Sequence, residues 1–283
     1  MNPNDIEKIE IDLLIEAIFR RYGHDFRGYS KAHLKRRIQQ FAAIKAQARI
    51  SDLIPRVLHD ERLFEMLLKD ISITVTQMFR DPQVFQSLRR HVIPFLRTFP
   101  FLRVWVAGCA TGEEVYSVAI MLKEEGLYER STLFATDFND FALEKAKAGI
   151  YPIESIAAYT RNYQQAGGTG SFSDYYHAKY DSAAMAPWLK RNMVFANHNL
   201  VTDAVFSEMH LVFCRNVLIY FNQQLQDRVL TLFSQTLARG GFLCLGTSED
   251  IAFSSVREIF KRTDDNARIF QLRASDGAIA HSF

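Results

Sequence analysis

Residues 103–114 read RVWVAGCATGEE, and this stretch indicates the class of fold. Its first five residues have the short, β-rich pattern of a buried strand. A turn containing Gly108 and Gly112 follows, and a helical pattern then runs from about Glu113 to Glu125. A strand that passes through a glycine turn into a helix is typical of a sheet that binds a ligand at the carboxyl ends of its strands.

Strand and helix patterns continue to alternate beyond this stretch. We predict further strands at residues 133–136, 193–196, 210–214 and 242–245, and helices at residues 141–148, 222–237 and 256–260. Such alternation predicts an α/β fold with a doubly wound, mainly parallel sheet. The alternation fails between Tyr151 and Lys190, where residues 167–171 read GGTGS and residues 175–180 read YYHAKY. We interpret residues 151–192 as an inserted small β-subdomain.

The first 98 residues have a helical pattern instead. Apolar residues recur at helical spacing, for example at Ile6, Ile9, Leu13 and Leu14. Asp81-Pro82 predicts the start of another helix, because aspartate can cap a helix and proline suits its first turn. The predicted organisation is an all-helical N-terminal domain at 1–80, a linker helix at 81–100, the α/β domain at 101–273 and a flexible tail at 274–283.

Composition excludes several other classes of protein. A chain of 283 residues that is 48% hydrophobic can bury a large core. Its 34 basic and 32 acidic residues nearly balance, so we expect no nucleic-acid partner. The three cysteines match no zinc spacing, and we expect no metal. The polar N-terminus does not resemble a signal peptide, and the apolar run at 211–221 contains Arg215, so we expect a cytoplasmic protein without direct membrane insertion.

Three sites along the chain carry polar groups where a ligand would bind. Gly108 would let the backbone approach a ligand, although the same turn also suits an ordinary strand-to-helix connection. Asp137 follows the second strand and is suited either to the hydroxyls of a ribose or to capping the next helix. Arg215 and Asn216 follow an apolar strand, where they would face a ligand or form a buried salt bridge and cap.

Three motifs, in order, resemble the CheR-type chemotaxis receptor methyltransferases. They are residues 75–81 (VTQMFRD), residues 107–117 (AGCATGEEVYS) and residues 213–221 (FCRNVLIYF), and GTSE at 246–249 is similar to that family's C-terminal turn. The resemblance covers roughly residues 10 to 272. It implies a Rossmann-like S-adenosylmethionine methyltransferase domain with an inserted small β-subdomain, preceded by an all-helical N-terminal domain.

The resemblance also implies roles for individual residues. Thr74, Thr76 and Arg80 would hold the methionine part of S-adenosylmethionine, with Arg80 opposite its carboxylate. Glu114 would bind near its amino group, with Gly108 beside it, and Asp137 would hold the ribose. Asn199 and Leu200 would flank the adenine. The residues that would line the transfer site and orient the substrate are Arg215, Asn216 and Tyr220.

The implied reaction is the esterification of glutamate side chains on bacterial chemoreceptors, with S-adenosylhomocysteine as the other product. A glutamate carboxylate is ionised near neutral pH, so the reaction needs no general base. A catalytically silent S-adenosylmethionine-binding module of the same fold is the main alternative. A nicotinamide-dependent oxidoreductase would need another glycine spacing, and a nucleic-acid methyltransferase would need a more basic chain.

A basic helix suggests how the partner would bind. Lys35, Arg36 and Arg37 share a helix that is either a solvated face or, by the resemblance, the surface that contacts the cytoplasmic helical domain of a chemoreceptor. Some members of the family also tether the receptor's C-terminal peptide through a glycine-containing loop. The hairpin expected at 175–194 contains no glycine, so we do not expect such tethering.

Overall fold

The computed structural model describes residues 3–45, 49–72, 75–264 and 267–273. Four helices precede the sheet: α1 (Pro3–Tyr22), α2 (Lys31–Ile44), α3 (Leu53–His59) and α4 (Glu61–Ile71). The helix predicted from the spacing of Ile6, Ile9, Leu13 and Leu14 is confirmed as α1, although Ile6, Ile9 and Leu13 are 49, 45 and 54% exposed. The buried face of α1 instead consists of Ile11, Leu14, Ile15 and Ile18.

A segmented helix joins these helices to the sheet. It consists of α5 (Pro82–Ser87), a π-helical turn at Leu88–Val92 and α6 (Ile93–Leu96). Pro82 lies in the first turn, as predicted. The wide turn comes directly before Pro94, which has no N–H to donate and whose ring crowds the preceding turn. Asp81 does not cap the helix as predicted, because its φ is 54° and its carboxylate accepts a hydrogen bond from Arg215 instead.

A seven-stranded sheet forms the centre of the fold. The strands are β1 (Leu102–Ala107), β2 (Ser131–Asp137), β6 (Met193–Asn197), β7 (Met209–Cys214), β8 (Leu237–Leu245), β9 (Phe260–Arg262) and β10 (Ile269–Leu272). Their order is β6-β2-β1-β7-β8-β10-β9, and β10 alone runs opposite to the other strands, antiparallel to both β8 and β9. Helices α7 (Glu113–Glu124), α8 (Asp140–Ala148) and α10 (Gln223–Thr236) accompany it. The predicted α/β fold is therefore confirmed.

The register of the central strands brings three loops together. Val106 of β1 lies beside Ala135 of β2 on one side and Phe213 of β7 on the other. The residues that follow these strands consequently meet at one edge of the sheet. The N-terminal helices pack against the same region, since Tyr29 pairs with Phe221 in an isolated bridge.

The predicted insertion forms a small sheet of its own. Strands β3 (Ile150–Pro152), β4 (Tyr176–Lys179) and β5 (Ser182–Met185) pair antiparallel in the order β3-β5-β4, and α9 (Ile153–Gln165) follows β3. The hairpin is β4–β5 and contains no glycine. It ends at Met185, earlier than expected, because residues 193–197 belong to the main sheet.

The helix predicted at 256–260 is wrong. Arg257–Ile259 form a single 3-10 turn, and Phe260 begins β9. Phe260 is 4% exposed and lies beside Leu272 of β10, so pairing with β10 determines its conformation. Within the described ranges, no helix is both long and apolar enough to cross a membrane. The tail predicted at 274–283 lies outside the described residues.

Candidate active site

A cleft opens at the carboxyl ends of β1, β2 and β7. Including the open solvent at its mouth, it encloses about 1000 Å³. Every predicted cofactor-binding or catalytic residue that the structure describes lines it: Thr76, Arg80, Gly108, Glu114, Asp137, Asn199, Leu200, Arg215, Asn216 and Tyr220. Thr74 lies outside the described residues. Ten residues predicted from separate parts of the sequence thus surround one cleft in the structure.

The glycine turn and Asp137 form one wall of the cleft. Gly108 has φ 72°, and a Cβ atom there would lie 2.6 Å from the side chain of Val217. The carboxylate of Asp137 accepts hydrogen bonds from the backbone amides of Ala110 (2.9 Å) and Asn139 (3.0 Å). Burial raises the pKa of Asp137, and these amide bonds oppose the rise. The carboxylate is therefore fixed against the glycine turn.

The alternative role considered for Asp137, capping the next helix, is wrong. The side chain of Asn139 caps α8 by accepting from the amides of Phe141 (3.0 Å) and Ala142 (3.3 Å). Asp137 contributes only by holding the amide of Asn139. Its carboxylate thus remains a cleft-lining acceptor.

Arg215 is the centre of a buried ionic network. Its guanidinium donates to Glu114 Oε1 (2.7 Å), to Asp81 Oδ2 (2.8 Å) and to the carbonyl oxygen of Arg80 (2.9 Å). The side chains of Arg215, Glu114 and Asp81 are 2, 13 and 26% exposed. Burial raises the pKa of Glu114, and the positive charge of Arg215 opposes that rise. Both interpretations of Arg215 therefore apply, since it lines the cleft and also forms a buried salt bridge.

Glu249 holds the loop that carries Asn216 and Tyr220. Its buried carboxylate accepts from the backbone amides of Gly246 (2.6 Å), Asn216 (2.9 Å), Val217 (2.9 Å) and Ile219 (3.2 Å). Asn216 has φ 60°, a left-handed conformation that asparagine tolerates better than most residues. Residues 246–249 form a recognisable sequence motif, but the role of Glu249 follows only from the fold.

The N-terminal helices complete the site beside Tyr220. The Ser30 amide donates to the carbonyl of Tyr220 (2.8 Å), and the ring of His33 lies 4.7 Å from the ring of Tyr220. Tyr29 also lines the cleft. Burial raises the pKa of Tyr220, and the positive field of Arg80 opposes the rise. Tyr29 and His33 were not predicted from the sequence, because only the fold brings Tyr29 to the cleft and His33 against Tyr220.

The three basic residues predicted to bind a receptor differ in their surroundings. Lys35 forms an ion pair with Glu7 of α1 (2.5 Å), which takes up its charge within the chain. Arg36 is exposed, and Arg37 is half-buried. The positive charges of Arg36 and Arg37, like that of Arg80, oppose the rise in the pKa of Tyr220, so their fields extend to the cleft.

Comparison with protein families supplies the remaining evidence. Residues 74–268 match the family described as "CheR methyltransferase, SAM binding domain", and residues 9–72 match "CheR methyltransferase, all-alpha domain". The chain belongs to the CheR methyltransferase family. This CheR methyltransferase is an S-adenosylmethionine-dependent enzyme built from an all-α domain and an S-adenosylmethionine-binding domain, as the sequence motifs predict.

Several curated proteins resemble this CheR methyltransferase. A "Putative methyltransferase Cher3" of Pseudomonas putida is 51% identical, over 93% of this chain and 96% of its own length. A "Chemotaxis protein methyltransferase" of Listeria innocua is 30% identical, over 87% of this chain and 92% of its own. An uncharacterised 104.1 kDa protein of Rhodobacter capsulatus is 32% identical over 87% of this chain, which corresponds to 26% of that longer protein.

Proposed function

We propose that this CheR methyltransferase binds S-adenosylmethionine in the described cleft and transfers its methyl group to glutamate side chains of chemoreceptors, forming the esters used in sensory adaptation. The observation that carries this proposal is the convergence of two arginines (Arg80 and Arg215) and two carboxylates (Glu114 and Asp137) on a glycine turn at the sheet edge. The chemotaxis methyltransferases among its relatives support the same pathway.

The donors and acceptors of the cleft fit the parts of S-adenosylmethionine. Arg80 provides a guanidinium for the carboxylate of the amino-acid part, and Glu114 provides an acceptor for its ammonium. Asp137 provides a fixed carboxylate for the ribose hydroxyls, and Leu200, beside Asn199, provides apolar surface for the base. The carboxylate and the ammonium of the amino-acid part thus each have a partner of opposite charge in the cleft.

The protein contributes alignment and the exclusion of water rather than proton transfer. When bound, S-adenosylmethionine supplies a methyl group on a positively charged sulfur. A glutamate acceptor is already ionised near neutral pH. Because burial raises the pKa of Tyr220, its hydroxyl keeps its proton and can donate a hydrogen bond to an acceptor carboxylate. We assign Tyr220 and Asn216 to the acceptor side of the cleft.

Arg215 receives a different role from the one that the family resemblance implies. Two of its acceptors are carboxylates of this chain, and a third is the Arg80 carbonyl. Its terminal nitrogens are therefore largely used within the protein. We assign it mainly to positioning Glu114 and the segment that carries Arg80, with a secondary contribution to the charge of the transfer site.

The partner follows from the charge beside the cleft. We propose that Arg36 and Arg37 contact the acidic helical surface of a chemoreceptor's cytoplasmic domain, because opposite charge speeds association and sets register. Changing both arginines to glutamate should weaken binding to receptor fragments, and the loss should shrink as salt is added. The exposed Arg257→Glu variant serves as a control. Equal binding by the reversed variant and the wild-type protein would contradict this contact.

The reaction itself can be tested with radiolabelled S-adenosylmethionine and purified cytoplasmic domains of chemoreceptors. We expect label on the receptor that mild alkali releases as methanol, because carboxyl methyl esters hydrolyse readily and N-methyl groups do not. Tight cofactor binding with no transfer to any receptor would instead identify a catalytically silent module. Label that resists alkali would show another acceptor atom.

A further inference from the structure

The turn that carries Arg80 has an unusual backbone. Phe79 and Asp81, the neighbours of Arg80, have φ values of 52° and 54°. Non-glycine residues in this left-handed region are strained and persist only where the surroundings enforce them. Phe79 is fully buried, packed against Phe85 and Tyr163. The conformation that presents Arg80 to the cleft is therefore imposed by other parts of the molecule.

Side chains from three different elements bind successive backbone groups of this turn. The hydroxyl of Ser117 in α7 accepts from the Phe79 amide (2.8 Å), and the amide of Asn162 in α9 donates to the Met78 carbonyl (3.0 Å). Arg215 donates to the Arg80 carbonyl (2.9 Å). The orientation of the Ser117 hydroxyl is determined, because its single proton goes to the carbonyl of Glu113 (2.7 Å).

Ser117 and Asn162 stand apart from the cleft itself. Among the residues described, neither lines it, and Ser117 is fully buried. Asn162 belongs to the inserted subdomain, so that subdomain bonds directly to the turn behind the cofactor site. Both residues therefore reach the cofactor site through the turn, and Ser117 also bonds the carbonyl of Glu113, the neighbour of the cleft residue Glu114.

We propose that Ser117 and Asn162 are positioning residues that hold the Met78–Asp81 turn so that Arg80 faces the amino-acid end of S-adenosylmethionine. This inference rests on the proposed function of the cleft. Without either bond the turn relaxes, and the fraction of molecules with Arg80 in place falls. The apparent dissociation constant rises by the inverse of that fraction.

The test compares two ligands that differ only at the amino-acid end. S-adenosylhomocysteine carries the amino and carboxylate groups, and 5′-methylthioadenosine lacks both. For Ser117→Ala and Asn162→Ala we expect roughly tenfold weaker binding of S-adenosylhomocysteine, the factor that corresponds to about 1.4 kcal/mol. Binding of 5′-methylthioadenosine should stay unchanged. Titration calorimetry measures both affinities for each variant.

Matched variants control for loss of a side-chain hydrogen bond alone. Thr160→Ala removes a hydroxyl of α9 that bonds only within its own helix, to Ile156. Ser131→Ala removes a buried hydroxyl that bonds to Leu127. Both should bind the two ligands like the wild-type protein. Asn162 is half-buried, so its variant keeps the test open if Ser117→Ala does not fold.

A third variant separates positioning from general damage. If Ser117 and Asn162 act through Arg80, their replacement in an Arg80→Ala background should cause no further loss of S-adenosylhomocysteine affinity. Equal weakening of both ligands, unchanged affinity, or a loss that persists without Arg80 would overturn the inference while leaving the proposed function standing. Failure of the wild-type protein to bind S-adenosylhomocysteine would overturn both.

Discussion

Replacing Arg215 with alanine should damage the fold as well as the reaction. The family resemblance alone implies a loss of turnover with the fold intact. The structure indicates otherwise, because the 2% exposed guanidinium balances the carboxylates of Glu114 and Asp81. Its removal leaves Glu114, only 13% exposed, without the ion-pair partner that donates directly to its carboxylate.

The size of the effect follows from how exposed each orphaned carboxylate is. Removing one partner of a buried ion pair costs about 3–5 kcal/mol. Asp81 is 26% exposed, so water replaces much of what it loses, and the penalty comes mainly from Glu114. We therefore expect the lower end of that range, about 3 kcal/mol. For a protein of this size that corresponds to a fall in melting temperature of roughly 6–12 °C.

Urea unfolding of a double-mutant cycle measures this penalty. The proteins are the wild type, Arg215→Ala, Glu114→Gln and the double variant. A neutral glutamine needs no counter-charge, so the double variant should recover much of the stability that Arg215→Ala loses. The control is Arg257→Ala, whose side chain is 64% exposed, and it should unfold like the wild type.

Two results would refute this reasoning. One is an Arg215→Ala protein as stable as the wild type, which would show that the ionic network contributes nothing to the fold. The other is a double variant no more stable than Arg215→Ala, which would show that Glu114 is not the orphaned charge. Loss of methyl transfer at unchanged stability and S-adenosylhomocysteine affinity would restore a direct role for Arg215 at the acceptor.

Three further predictions concern acidic residues around the cleft. Asp137→Asn should weaken the binding of S-adenosylhomocysteine about tenfold or more in calorimetry. The NH₂ group of the asparagine would face a backbone N–H donor, and the ribose would lose an ionised acceptor. The exposed Asp140→Asn variant should bind like the wild-type protein. Burial raises the pKa of Glu113 to about 7 from 4.5, so its contribution to the free energy of unfolding is present below pH 4.5 and is lost as pH rises through about 7. Between pH 4.5 and 7, the free energy of unfolding measured with urea should fall less steeply with pH for Glu113→Gln than for the wild-type protein. An equal slope in the two proteins would contradict this role for the Glu113 carboxyl group. Glu249→Gln should lose two of the four hydrogen bonds from backbone amides and about 2–4 kcal/mol of stability, measured by thermal or urea unfolding. The exposed Glu258→Gln variant is the control. Equal stability of the two variants would disprove the role of Glu249 in holding the loop.

The sequence predicted the sheet and the cleft because both depend on local patterns. Buried parallel strands have continuous apolar runs, which mark β1, β2 and β7 directly. Polar residues that follow such runs must lie at the same edge of the sheet, as Gly108, Asp137 and Arg215 do. The family resemblance added the residues of the linker, such as Arg80, that no pattern within the strands indicates.

What the sequence did not predict depends on contacts between distant residues. Asp81 has the local pattern of a helix cap, but it bonds to Arg215, which is 134 positions away in the sequence. Lys35 belongs to a basic cluster, but Glu7 on another helix takes up its charge. Phe260 follows a helical pattern and still joins β9, because it pairs with β10. In each case a tertiary partner overrides the local preference.

The identity of the methylated atom tests the central claim most directly. After incubation of this CheR methyltransferase with S-adenosylmethionine and a chemoreceptor cytoplasmic domain, fragmentation mass spectrometry of the receptor's peptides locates the added methyl group. We predict that it lies on glutamate side chains of the receptor's helical region and is absent when the Arg80→Ala enzyme is used. Methyl groups on lysine, arginine or the peptide termini, or equal labelling by Arg80→Ala, would contradict the account.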